Sequence, residues 1–109
     1  MSNLPDELKD RYVEGCWSYV PDGWRDLVIE LDKELRKIDP SYELVQCKEK
    51  FGGLRYYVDF SDQCIDNRKA DDLIQHYEHM SQLICDVCGK QGKTRSKNGW
   101  LATRCEEHN

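Results

Sequence analysis

Long hydrophobic runs are missing from this 109-residue chain. The apolar stretches, such as Leu27–Ile29 and Leu83–Cys85, reach three or four residues at most, too short for a transmembrane helix. The opening Met1-Ser2-Asn3-Leu4-Pro5-Asp6-Glu7 has no basic segment leading into an apolar one, so no signal peptide is expected. A reducing, cytoplasmic setting follows as the expectation, with no membrane partner. Basic excess is missing too. Lys and Arg number 16 against 21 Asp and Glu, a net charge of −5, which argues against a wholly basic nucleic-acid binder. Neither a nucleophile elbow nor a phosphate-binding loop is present, no histidine stands in a catalytic motif, and no internal repeat is visible. An enzyme is therefore a minor reading.

What remains is polar but not disordered. Apolar residues make up 39 % and charged residues 34 % of the chain. Three Trp, six Tyr and two Phe are enough to seed a core. A domain of this size gains little margin from burial alone, so a staple such as a metal is expected. Charge is also unevenly spread. Residues 1–84 hold 11 basic and 18 acidic side chains, whereas residues 85–109 hold 5 and 3. The division reads as an acidic helix–hairpin–helix body over 1–84 and a mildly basic module over 85–109, packed as one unit.

Periodicity supplies the elements. Pro5 to about Glu14 reads as a short helix with Leu4, Leu8 and Tyr12 on one face and Gly15 as its stop. The aromatic segment Cys16–Pro21 is expected to fold back on the core, because its rings are costly to leave wet. Trp24, Leu27, Val28, Leu31, Leu35 and Ile38 form one face of a second helix, capped by Asp22 and ended by Asp39-Pro40. Tyr42–Lys50 and Leu54–Phe60 read as an antiparallel hairpin turning at Phe51-Gly52-Gly53; the second strand alternates strictly. A long helix is predicted from about Asp62 to Ile84, capped by Ser61, with Leu73, Tyr77, Met80 and Ile84 as its seam. The fold class is α+β, helices packed on a β-hairpin with a C-terminal zinc-bound β-hairpin.

The strongest chemical signal is Cys85-Asp86-Val87-Cys88 and Cys105-Glu106-Glu107-His108. A C-x2-C and a C-x2-H pair sixteen residues apart have the spacing of a two-pair zinc site. Ligands three residues apart on a tight turn can face one metal, and a short hairpin brings two such turns together. Asn98-Gly99 is a favoured hairpin turn between Thr94–Lys97 and Trp100–Thr103, so local propensity agrees with ligand spacing. A redox pair would instead follow a strand and open a helix, and a disulfide suits another compartment. Four protein ligands leave no open coordination position, so one structural Zn²⁺ at Cys85, Cys88, Cys105 and His108 is the expectation. Cys16, Cys47 and Cys64 read as small buried hydrophobes. His76 and His79 lie three apart on a helix, where surface histidines are the plainer reading than a second metal site.

Two further segments are candidate binding sites. Lys50, Phe51, Gly52, Gly53 and Arg55 combine cations, an aromatic ring and glycines at the hairpin turn, against a plain reading as a tight turn. Lys90, Lys93, Arg95, Lys97 and Arg104 surround Trp100, which suits phosphates and a stacked base, against a plain reading as a solvated loop. A small ligand or nucleotide held by Phe51–Tyr57 and the Cys16–Trp24 segment is a third class. The Lys48-Glu49-Lys50-Phe51-Gly52-Gly53-Leu54-Arg55-Tyr56-Tyr57 hairpin, the Pro21-Asp22-Gly23-Trp24 helix start and the Cys85–His108 ending together resemble a group of small phage and prophage proteins of unassigned activity. The resemblance implies expression inside a bacterial host and zinc at the four C-terminal ligands. It makes an interaction protein that modulates a host protein, such as a defence factor, the leading expectation, with a nucleic-acid-binding zinc hairpin or a small-ligand (nucleotide) binder or enzyme as alternatives. A homodimer is compatible with the lone hairpin sheet.

Overall fold

The computed structural model of the protein describes residues 3–13 and 17–109. Its longest apolar stripe forms helix α1, Arg25–Ile38, which buries Leu27, Val28, Leu31 and Leu35. Asp22 does not cap this helix. Asp22–Trp24 forms a 3₁₀ turn closed by Trp24 N–H on the Pro21 carbonyl, and no side chain caps either the turn or α1. The turn is held from outside: Gly23 N–H donates to Asp86 O and Trp24 Nε1–H to Ile84 O, each near 2.9 Å.

Strands β1 (Glu43–Lys50) and β2 (Gly53–Asp59) pair antiparallel. Lys50 pairs with Gly53, so the turn is the two residues Phe51-Gly52, with φ of 54° and 84°. A bulge at Val45 shifts the register between Leu44 and Gln46. The first helix is shorter than its periodicity predicts. It is a 3₁₀ segment, Asp6–Arg11, because Tyr12 turns extended and bridges to Leu44 in parallel. Val13 N–H donates to Leu44 O and Tyr19 N–H to Cys47 O, so this segment covers the free edge of β1. The expected stop at Gly15 and the thiol of Cys16 lie outside the described residues.

Period-two geometry also overturns the inward reading of the aromatic segment. Ser18 and Val20 face the core, whereas Trp17 and Tyr19 remain 55 % and 44 % exposed. Their rings shelter each other in a parallel stack with centroids 6.1 Å apart.

Helix α2 spans Asn67–Ser81, five residues later at its start than the sequence suggests. Asp66 is its cap, accepting from Lys69 N–H. Ser61 is diverted: its N–H and hydroxyl both donate to the buried carboxylate of Asp39. Helix α2 packs on α1 and β2, burying Ala70, Ile74 and Tyr77 in one apolar core with Trp24, Leu44, Cys47, Leu54 and Tyr56. Polar contacts fix the layers. Tyr77 hydroxyl donates to Glu30, and the buried Tyr42 hydroxyl lies between Asp32 and the Tyr56 hydroxyl. Strands β3 (Lys93–Lys97) and β4 (Trp100–Arg104) form a second antiparallel hairpin around Asn98-Gly99. The molecule is α+β, with two separate two-stranded sheets.

Candidate metal centre

Helix α2 ends at Ser81, and the chain then makes the first ligand turn. Cys85 N–H donates to Lys90 O, Gly89 N–H to Cys85 O, and Val87 N–H to the Cys85 sulfur at 3.4 Å. Gly89 takes a φ of 82°, a left-handed value that closes the turn without steric cost. Strand β4 delivers the second pair, where His108 N–H donates to Cys105 O. The strands meet this turn through Asp86 N–H on Thr103 O.

The ligand atoms of Cys85, Cys88, Cys105 and His108 all lie within 4.8 Å of one another. Cys85 Sγ is 3.7 Å from His108 Nδ1, Cys88 Sγ 3.7 Å from Cys105 Sγ, and Cys105 Sγ 3.2 Å from His108 Nδ1. Sulfur and nitrogen donors around one tetrahedral ion stand about 3.5–3.8 Å apart, so the cluster is close to the required size. None of these sulfurs is in a disulfide. The four residues can hold one metal ion, and no other such group occurs among the described residues.

Local electrostatics favour thiolate at one ligand. Burial pushes the Cys85 thiol up, but N–H groups of Cys105, Cys88 and Val87 outweigh this and bring it down to about 6. At Cys88 the Lys90 N–H favours thiolate, yet burial and the neighbouring Cys85 and Cys105 sulfurs prevail and raise its value. Three sulfurs crowding one point repel as anions, and a divalent cation relieves that repulsion.

The centre is tied to the body by contacts that sequence reading missed. A Cβ on Gly23 would stand 2.0 Å from Cys85 O and 2.8 Å from Gly89 N, so only glycine lets the 3₁₀ turn touch the ligand loop. Thr103, fully buried on β4, donates its hydroxyl to Gly52 O at the tip of the first hairpin. Alternation along β4 was the available signal for Thr103. Nothing local marks Gly23.

No protein-family model matches this chain, and no curated protein or solved structure is significantly similar to it.

The other candidate residues do not form one site. Phe51 and Trp100, 65 % and 77 % exposed, come together with Lys50 and Leu101 around one groove between the hairpin tips. The Lys50 ammonium sits 5.5 Å from the centre of the Phe51 ring. Gly52 and Gly53 lie beneath this surface, buried against Thr94 and Gln82 respectively. Arg55 does not line this groove: its guanidinium turns back to Leu54 O, beside Gly53. Lys93, Arg95 and Lys97 lie on the face of the second hairpin that also carries Trp100. Lys90, on the ligand loop, stands 4.0 Å from Glu107. Of the remaining cysteines, Cys47 is buried, and burial with the nearby Glu78 charge pushes its thiol up to about 12. Cys64 is half-buried, and His76 and His79 are exposed on α2.

Proposed function

We propose that this chain is a non-catalytic interaction protein in which one structural Zn²⁺ locks the second hairpin to the body, exposing a composite binding surface of Phe51, Leu101 and Trp100. Three thiolates and one imidazole are a soft donor set that suits zinc. Lys50, Gly52 and Gly53 support this surface without being its anchors. The proposed occupant is a host protein inside a bacterial cell, modulated by being bound. The resemblance to small phage and prophage proteins supports that setting, and the acidic charge of residues 1–84 favours a basic partner.

One observation carries the reading. Both hairpins turn through two residues at positive φ, a geometry that favours Asn-Gly. The second hairpin uses Asn98-Gly99. The first puts Phe51 at φ 54°, where a bulky side chain is disfavoured, and leaves its ring largely in water. Neither local conformation nor burial accounts for this phenylalanine. An aromatic anchor for a partner accounts for both, since a few aromatic residues commonly dominate binding energy.

Phe51→Asn separates folding from binding. The variant should keep its metal and match or exceed the parent in thermal stability. It should lose the partner that the tagged, zinc-loaded parent captures from producing cells, read by native mass spectrometry. Equal capture of one stoichiometric partner by both proteins would refute the role of Phe51, and substoichiometric zinc would refute the staple.

A further inference from the structure

The second hairpin has two unlike faces. Thr94, Leu101 and Thr103 face the first hairpin, with Thr103 bonded to Gly52. The register places Lys93, Arg95, Lys97, Trp100, Ala102 and Arg104 together on the opposite face. Lys93 pairs directly with Arg104 across the strands, a like-charge pairing that weakens a sheet. Lys97 pairs with Trp100, whose ring is 77 % exposed. No acidic residue of either strand interrupts this face.

The cations are not equivalent. Arg95 is bound by Glu106 at 2.6 Å and Arg104 by Asp86 at 3.2 Å, which fixes both guanidinium groups at the border of the face. Lys93 and Lys97 have no carboxylate within ion-pair distance among the described residues. A groove of about 410 Å³ runs over Trp100 and Ala102, bounded by Arg95, Lys97, Arg104 and Asn109, within the size range of small-molecule sites; Lys93 lies on the same face beyond its end. The face thus offers an aromatic platform, the Lys97 ammonium and two oriented guanidinium groups at the groove, and the Lys93 ammonium further along the same strand.

From this arrangement we infer that the outer face of β3–β4 binds single-stranded nucleic acid, with a base stacked on Trp100 and flanking phosphates on Lys93 and Lys97. Aromatic stacking needs an unpaired base, which a duplex does not present, and stacking with a cationic track is how single strands are held without sequence readout. The acidic body repels a bulky duplex and leaves this hairpin as the approach for a polyanion. The face is distinct from the Phe51 surface, although Trp100 borders both. Lys93 and Lys97 therefore test this inference, and Phe51 tests the protein-binding one.

The experiment uses the full zinc-loaded chain and a fluorescein-labelled oligothymidylate, read by anisotropy against salt. Binding should be clear at about 50 mM salt and should weaken with a log–log slope of roughly −1.5 to −3, as expected for two to four phosphate contacts on a single strand. Lys93→Glu with Lys97→Glu should cut affinity at least about tenfold, while Lys93→Arg with Lys97→Arg retains it. Trp100→Ala should cost about 5- to 100-fold and Trp100→Phe less. Phe51→Asn should bind like the parent. Metal content and circular dichroism establish that each variant is folded. No anisotropy change at low salt would overturn the inference. So would equal affinity for a duplex or for polyglutamate, or full binding by the folded Lys→Glu double variant.

Discussion

The body and the C-terminal hairpin are stabilised by different physics. In the body, α1, α2 and the first hairpin share a core containing Trp24, Leu31, Leu35, Leu44 and Tyr56. Beyond Tyr77, the only buried apolar residue is Cys85. Strands β3 and β4 bury Thr103 and otherwise expose or half-expose their side chains. A five-residue pair of this kind is marginal alone. Apolar burial sustains the first region; in the second, the proposed metal at Cys85, Cys88, Cys105 and His108 would take its place. On the proposed reading, small size is managed by placing core and staple in sequence along the chain rather than in the same place.

The largest expected effect removes the staple. Cys105→Ser should abolish tight metal binding and unfold β3–β4, since structural zinc typically supplies about 10–16 kcal/mol to small modules. Circular dichroism should still show α1 and α2. Next, Trp24→Ala should destabilise the body by about 3–5 kcal/mol in denaturant titration. It should also weaken metal retention against a competing chelator, because the indole N–H holds the Ile84 carbonyl beside the first ligand. Gly23→Ala sharpens the same point without touching the core. Its methyl would collide with the ligand loop backbone. Faster metal loss is expected, with a body stability cost of about 1–3 kcal/mol.

A smaller effect separates the regions by pH. Burial raises the Asp39 carboxyl, but hydrogen bonds from Ser61 and Ser41 and the Arg11 charge outweigh it and hold the group below its ordinary 3.8. A depressed carboxylate contributes stability above its unfolded value and loses it as pH falls through the folded value. Asp39→Asn should therefore cost the body about 1–3 kcal/mol at neutral pH, with the gap to the parent closing below about pH 3.8. The smallest effect is at His76 and His79. Alanine at both should leave metal content unchanged and stability within about 0.5 kcal/mol.

What the sequence made legible divides along similar lines. Both hairpin turns and the four candidate metal ligands were readable because each depends on local chemistry: glycine at positive φ, and ligands paired at a spacing of three. The α1 face was readable from its 3.6-residue period. The start of α2 was misplaced because Ser61 is a plausible cap until Asp39, 22 residues earlier, takes both its donors. Trp17 and Tyr19 were assigned inward on hydrophobicity, yet strand alternation against β1 sends Ser18 and Val20 inward instead. Gly23 was only part of a motif, because the ligand loop that forbids a side chain there lies at Cys85–Gly89. These misreadings involve contacts between residues distant in the chain.

Amide hydrogen exchange on the metal-loaded protein, before and after chelation, tests the division most directly. Chelation should release the protected amides of Lys93–Lys97 and Trp100–Arg104 while those of α1, α2, β1 and β2 keep most of their protection. Unchanged protection in the second hairpin, or its loss throughout the chain at once, would contradict a metal-held module on an independently stable core.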